Sequence, residues 1–255
     1  MSIINLTTKN LKNKNIFISG VGKGLGRDMM FKCVDSGAFV FGFTRSKKDI
    51  KNLQEKYVKK TKIFVGNATN EKFIKKIFKY FLKKKIVLDG LINNAGERQR
   101  KAFINFKSKD IKHIMNVNFI STFLITQQFV HQLNKNSFGS IINIGSIVGE
   151  NAFSDLVGYA SSKSAISGFT KSLSLELSTK GYKTRVNCIN PGFTKTSYFK
   201  KFSKNKKLYS WTIKKIAAKR WGDPEEISKL AIFLLSNRSS YINGQVINID
   251  GGWKP

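Results

Sequence analysis

The sequence predicts an α/β fold: a single doubly wound parallel sheet of about seven strands with helices on both faces. Three observations predict it. Short apolar runs alternate with helical patterns along nearly the whole chain. A glycine loop, Gly20-Val-Gly-Lys-Gly24-Leu-Gly26, joins the first apolar run to the first helical one. The chain has 255 residues, 41% hydrophobic and 12% aromatic, which suits one α/β domain with a sizeable core. No repeat, linker or low-complexity stretch divides it, so residues 1–255 read as one domain.

The elements follow in order. Residues 15–19 form the first strand, and a helix runs from about Leu25 to Ser36. Glycines at that junction let backbone N–H groups approach a pyrophosphate and aim the helix N-terminus at it. The second strand is 38–43. An acid at its end would accept the ribose 2′-OH of NAD and repel the 2′-phosphate of NADP. This chain has Thr44 there, then Arg45, with Lys23 in the glycine loop. Arg grips phosphate with two N–H groups and Lys adds a point charge. These residues point to NADP(H), with NAD(H) as the second choice.

A helix is expected over 48–59 and a third strand over 62–66, ending at Asn67 and Ala68. A helix over 71–84 leads to the fourth strand, 87–92, which ends in the small-residue turn Asn93-Asn94-Ala95-Gly96. Ser108 and Asp110 mark a helix start, and the helical pattern continues to Leu133 through Asn116-Val-Asn118. The fifth strand, 140–145, ends at Ser146. The helix over 157–177 carries Tyr159 and Lys163. The sixth strand, 184–190, runs into Pro191-Gly192-Phe-Thr194-Lys-Thr196. Residues 198–218 are polar, aromatic and basic. Asp223-Pro-Glu-Glu226 supplies an N-cap, a first-turn Pro and a capping-box acid. Ile227, Leu230, Ala231 and Leu234 then recur at helical spacing. Residues 245–249 form the last strand, followed by Asp250-Gly-Gly-Trp253.

Chemistry concentrates between Ser146 and Lys163. Positions i and i+4 share a helix face, so Lys163 lies beside Tyr159. An adjacent ammonium favours phenolate and is expected to lower the tyrosine pKa. Such a tyrosine trades a proton with a carbonyl or alcohol, and Ser146 at a strand end can hold the same oxygen.

With these residues in place, the chain resembles the short-chain dehydrogenase/reductase family from Asn15 to Trp253. The resemblance implies a Rossmann-type fold and oxidoreductase activity. It puts the catalytic Ser, Tyr and Lys on Ser146, Tyr159 and Lys163. It also implies that the Asn118 carbonyl holds a water linking the lysine to solvent. By the same resemblance, Gly20, Gly24, Leu25, Gly26, Asn67, Ala68, Asn94, Ala95, Gly96, Pro191, Gly192, Thr194 and Thr196 border the cofactor. Residues 194–218 would form a substrate lid, with Tyr198 and Trp211 facing substrate. Relatives form homotetramers, and their C-terminal ends pack against a neighbouring subunit. Asn93-Asn-Ala-Gly-Glu-Arg98-Gln-Arg100, Ala218-Lys-Arg-Trp221-Gly-Asp-Pro224 and Asp250-Gly-Gly-Trp253 resemble sugar-acid dehydrogenases such as gluconate 5-dehydrogenase. Arg98 and Arg100 would then meet a carboxylate. Ile144-Gly-Ser-Ile-Val-Gly149, Pro191-Gly-Phe193 and Ser240-Tyr-Ile-Asn-Gly244 resemble 3-oxoacyl-acyl carrier protein reductases instead. Their acidic carrier would be the partner, and Lys180 keeps one basic docking position. The sugar acid or polyol is the preferred substrate class, with the acyl carrier protein substrate as the alternative.

The net charge of +31 raises nucleic acid or anionic lipid as partners. Lysine is spread in short pairs with no basic tail or zinc-finger spacing, so no specific nucleic-acid site is expected. A non-catalytic dinucleotide binder is the remaining alternative, and the intact Ser146, Tyr159, Lys163 and Asn118 set argues against it. His113 and His131 have no metal spacing, so no metal is expected. Cys33 and Cys188 lie in apolar patterns and read as packed thiols in a reducing compartment. With no signal-peptide pattern and no apolar run long enough to span a membrane, the expected location is the cytoplasm.

Overall fold

The computed structural model describes residues 10–50, 57–196 and 199–254. Seven strands form one parallel sheet: β1 (Asn15–Ser19), β2 (Phe39–Thr44), β3 (Thr61–Val65), β4 (Gly90–Asn93), β5 (Gly139–Ile144), β6 (Thr184–Pro191) and β7 (Val246–Ile249). Their order is β3-β2-β1-β4-β5-β6-β7, so the sheet grows in both directions from the β1/β4 boundary. Ile16 pairs with Gly90 there, and the register carries through to Ile18 and Ile92. In a doubly wound sheet, ligands bind at such a reversal, beside the carboxyl ends of the strands.

The strands alternate between two cores. Ile16 and Ile18 of β1 face a core shared with α1 (Gly24–Asp35) and α8 (Pro224–Leu235). Phe17 faces the opposite core with Phe41, Phe43, Phe78 and Phe81, as the two-residue period of a strand requires. Phe78 and Phe81 lie on α2 (Glu71–Lys83), which Asn70 caps by accepting from the Phe73 N–H. Capping by Asp223 and Glu226 starts α8 as its sequence predicts. The remaining helices are α3 (Ser108–Met115), α4 (Ser121–His131), α5 (Val157–Thr179), α6 (Phe199–Phe202) and α7 (Lys206–Lys215).

Several expectations are corrected. The helix expected from Ser108 to Leu133 is interrupted by a π turn, Asn116–Ile120, and ends at His131. β4 begins at Gly90, because the chain before it is turned by Lys85 at φ 53° and leaves Val87 exposed. The helix expected over 48–59 lies partly outside the described residues; 47–50 are helical and Val58–Lys60 form a 3-10 turn. A small separate core follows β6, in which buried Trp221 meets Phe193, Phe199, Phe202 and Tyr209. The Trp221 indole N–H donates to Thr212 Oγ1 at 2.8 Å. The Trp253 ring packs within its own chain, stacked on Phe153 with ring centres 5.6 Å apart.

Candidate active site

The carboxyl ends of the parallel strands reach one edge of the sheet, and the glycine loop, Thr44, Asn94 and Ser146 lie at or just after those ends. Gly20 and Gly24 take φ values of 74° and 60°, the left-handed region that favours glycine. A Cβ on Gly24 would meet nothing within 4 Å, so the loop opens onto free space. Lys23 is the N-cap of α1; no side chain caps the helix and no acid occupies its first turn. Its first N–H groups are therefore left for an anion, with the positive end of the helix dipole behind them. These residues fit a dinucleotide pyrophosphate. Leu25 is half-buried behind the loop, and Gly26 packs its α-carbon on the Gly20 carbonyl and the Asn94 side chain.

The turn after β4 is tied to β1. Asn94 Nδ2 donates to the Ser19 and Gly20 carbonyls, at 3.1 and 2.9 Å. The Ser19 hydroxyl accepts from the N–H groups of Asn94 and Ala95, both at 2.9 Å. After β3, the Asn67 side-chain oxygen Oδ1 accepts from Thr69 N–H, and Ala68 is buried beside it.

The corner at the end of β2 differs from expectation. Lys23 and Arg45 are exposed, and their chain neighbours Gly22 and Thr44 lie against each other. An acid is present too. Asp49 turns back from the helical residues after β2 and accepts from Thr44 Oγ1 at 2.7 Å. Arg27 lies behind it, 3.9 Å from the carboxylate and bonded to the Gly22 carbonyl. Inspecting only residues 44 and 45 misses this acid. Its one sequence signal is an acidic residue among lysines at the start of a helix.

At the other end of the edge, Ser146, Tyr159, Lys163 and Asn118 come together. Ser146 is the N-cap of a 3-10 turn, so its hydroxyl lies at the β5 terminus. Burial raises the Tyr159 phenol above its ordinary value, opposed by a hydrogen bond with Ser146 and by the charge of Arg98. This corrects the expectation that Lys163 lowers it. The Lys163 ammonium shares the helix face as predicted, 5.9 Å from the Tyr159 ring centre, but donates at 2.7 Å to the Ile144 carbonyl. Asn118 is buried in the π turn. Its side chain accepts from Glu97 N–H at 2.7 Å and donates to the Glu97 carbonyl and Ser162 Oγ. Gly96 lets this happen: a Cβ there would stand 3.3 Å from Asn118 Oδ1 and 3.7 Å from Lys163 Nζ. π turns within helices occur frequently at functional sites.

Burial pulls Lys163 down to about 8 from the ordinary 10.5. Between those values the unfolded chain holds the extra proton, so this residue makes stability rise with pH. Across that window the wild-type protein is expected to gain about 3 kcal/mol relative to Lys163→Met. Urea unfolding at pH values bracketing the window measures it, and parallel profiles for the two proteins would contradict it.

Two residues that sequence reading missed hold Ser146 in place. Asn190 Oδ1 accepts from Ser146 N–H at 3.0 Å, in a space that Gly145 leaves open. Glu150 in turn accepts from Asn190 Nδ2 and Asn248 Nδ2, at 3.0 and 2.9 Å. The signal for Asn190 is its place just before Pro191-Gly192. Gly192 packs against Asp250, Thr194 is buried and bridged to Gly222, and Thr196 N–H donates to the Thr194 carbonyl. Arg98 and Arg100 are exposed on the loop after Gly96; Arg100 donates to the Ser154 carbonyl at 3.5 Å. Trp211 is exposed on α7 and meets Trp253 edge-on, whereas Tyr198 lies outside the described residues. Burial pushes the thiols of Cys33 and Cys188 up to about 12 and about 11, as packed thiols require. Among the described residues no cluster of His, Cys, Asp or Glu is placed to hold a metal ion, and no helix is long and apolar enough to cross a membrane.

The chain is similar to several known proteins. A family model described as enoyl-(acyl carrier protein) reductase matches residues 20–254. A 3-oxoacyl-acyl-carrier-protein reductase of Buchnera aphidicola subsp. Schizaphis graminum is 33% identical, over 95% of this chain and 98% of its own length. The 2-dehydro-3-deoxy-D-gluconate 5-dehydrogenase of Bacillus subtilis is 31% identical, over 95% of each. Among solved structures, a candidate gluconate dehydrogenase from Agrobacterium tumefaciens superposes with a TM-score of 0.91 at 28% identity. That match covers 96% of this chain and 97% of the other.

Proposed function

The chain belongs to the short-chain dehydrogenase/reductase family, whose members are oxidoreductases acting on CH–OH groups, and we propose that it transfers hydride between NADP(H) and a ketone or secondary alcohol of a sugar acid or polyol. One observation supports the substrate class: Arg98 and Arg100 stand exposed on the loop after Gly96, and Gly96 itself lies against Asn118 and Lys163. A substrate with its carbonyl on Tyr159 and Ser146 therefore has a guanidinium in range of a carboxylate. Residues 1–255 act as one dinucleotide-binding domain, with 194–218 as its lid.

In this reading Gly20, Gly24, Leu25 and Gly26 seat the pyrophosphate. Lys23 and Arg45 meet the 2′-phosphate, and Asn67 and Ala68 meet the adenine. Asn94, Ala95, Gly96, Pro191, Gly192, Thr194 and Thr196 border the nicotinamide half. The nicotinamide, when bound, supplies or accepts the hydride. Tyr159 gives the substrate oxygen its proton. Burial keeps the phenol protonated at neutral pH, which suits the reducing direction. Ser146 donates a hydrogen bond to the same oxygen as charge builds on it. Lys163 holds the nicotinamide ribose. The Asn118 carbonyl anchors the water that refills the proton on Tyr159. The protein works in the cytoplasm as a homotetramer; Ile120, Phe123 and Val157, exposed at the Asn118 turn and on α4 and α5, offer the apolar surface a second copy would cover.

A second reading is reduction of a 3-oxoacyl group on an acyl carrier protein. It is favoured by the aromatic wall of Phe153, Phe193 and Trp253 and by the Buchnera relative. Lys180, its expected docking residue, is paired with Glu176 at 2.6 Å. The test is NADPH oxidation with 5-ketogluconate and with an acetoacetyl thioester in parallel. Turnover of the keto acid, lost in Arg98→Ala, is the expected result. Turnover of the thioester alone replaces the first reading with the second.

A further inference from the structure

We infer that Asp49 is a specificity-determining residue that opposes the 2′-phosphate and sets the balance between NADP(H) and NAD(H). The inference rests on the reading of the β1–α1 loop and the end of β2 as a dinucleotide seat. In such seats an acid about 20 residues beyond the glycine loop takes the ribose 2′-OH. Residue 44 holds that place along the chain, and it is a threonine. Asp49 fills it through space. Its Oδ2 accepts from Thr44 Oγ1 at 2.7 Å and lies against the α-carbon of Gly22, inside the glycine loop. A side chain on Gly22 would collide with that carboxylate, so the loop and the acid are fitted to each other.

The carboxylate is anchored. Arg27 flanks it at 3.9 Å and is itself held by the Gly22 carbonyl. The Ser46 N–H also donates to Thr44 Oγ1, so this hydroxyl spends its own proton on Asp49. A 2′-phosphate arriving between Lys23 and Arg45 meets two cations on its flanks and one anion at the strand end, with Arg27 on the far side of that anion. It must also compete with Asp49 for the Thr44 hydroxyl. A ribose 2′-OH meets no such repulsion, and its proton finds an acceptor in the carboxylate. Lys23 and Arg45 thus draw the phosphate, and Asp49 restrains the preference they create.

The test is equilibrium titration with NADPH and NADH, without substrate, followed by nicotinamide fluorescence. It compares the wild-type protein with Asp49→Asn, which keeps the shape and removes the charge. Asp49→Ser serves as a second variant, and melting curves verify that all three are folded. Removing one charge beside the phosphate is expected to raise the NADPH-to-NADH affinity ratio by roughly tenfold, chiefly through tighter NADPH. A rise of less than about threefold in both folded variants overturns the role of Asp49 while leaving the dinucleotide seat intact. If the wild-type protein binds neither nucleotide, the seat itself is wrong and Asp49 falls with it.

Discussion

Tyr159→Phe is expected to lower turnover by roughly a thousandfold while NADPH binding stays within about twofold of the wild type. The substitution removes one oxygen from a ring that is otherwise held as before, so packing is kept. What disappears is the proton that the reduced carbonyl must receive. Ser146 cannot replace it, because an aliphatic hydroxyl with no base beside it holds its proton too tightly. Single-turnover measurements with bound NADPH separate the chemical step from binding. A variant that keeps wild-type turnover would remove Tyr159 from the reaction. The effect should not add to that of Ser146→Ala, since both groups act on one oxygen.

Phe81→Ala is expected to destabilise the protein by about 3–5 kcal/mol. Phe81 is fully buried and meets Phe17, Phe41, Phe64 and Phe78, with ring centres 5.1 to 6.2 Å apart. Most of these contacts are edge-to-face, so truncation loses ring–ring attraction as well as buried area and leaves a cavity. The loss is a large share of a typical total stability of about 5–15 kcal/mol. Leu82, the next residue on α2, is 63% exposed, and Leu82→Ala should change stability by less than about 1 kcal/mol. Urea unfolding of the two variants side by side measures the contrast. Equal midpoints would mean that this face of the sheet is not packed as described.

Much of the fold was legible because helices and strands are local. The apolar periods, the Asp223–Glu226 capping box and the glycine loop each state their element within a few residues. The spacing of Tyr159 and Lys163 likewise required only one helix turn. The π turn at Asn118 was not legible. Its residues continue an ordinary helical pattern, and the extra residue in the turn accompanies bonds from Asn118 to Glu97 and Ser162, which lie far away along the chain. The Tyr159 pKa was misjudged for a similar reason. Helix spacing placed the ammonium on the correct face, but the Ile144 carbonyl takes its hydrogen bond, and burial outweighs the neighbouring charge.

The sequence by itself determined the strand–helix order, the glycine loop and the Ser146, Tyr159 and Lys163 set, because each rests on short-range periodicity and backbone chemistry. Only the tertiary structure decided that Asp49 returns to Thr44, that Asn190 and Glu150 hold Ser146, and that Lys163 is desolvated to a pKa of about 8. Those outcomes depend on which groups meet through space and how much water is removed around them. Residues 5 to 44 positions apart, as at Thr44–Asp49 and Ser146–Asn190, carry no local pattern that records such meetings.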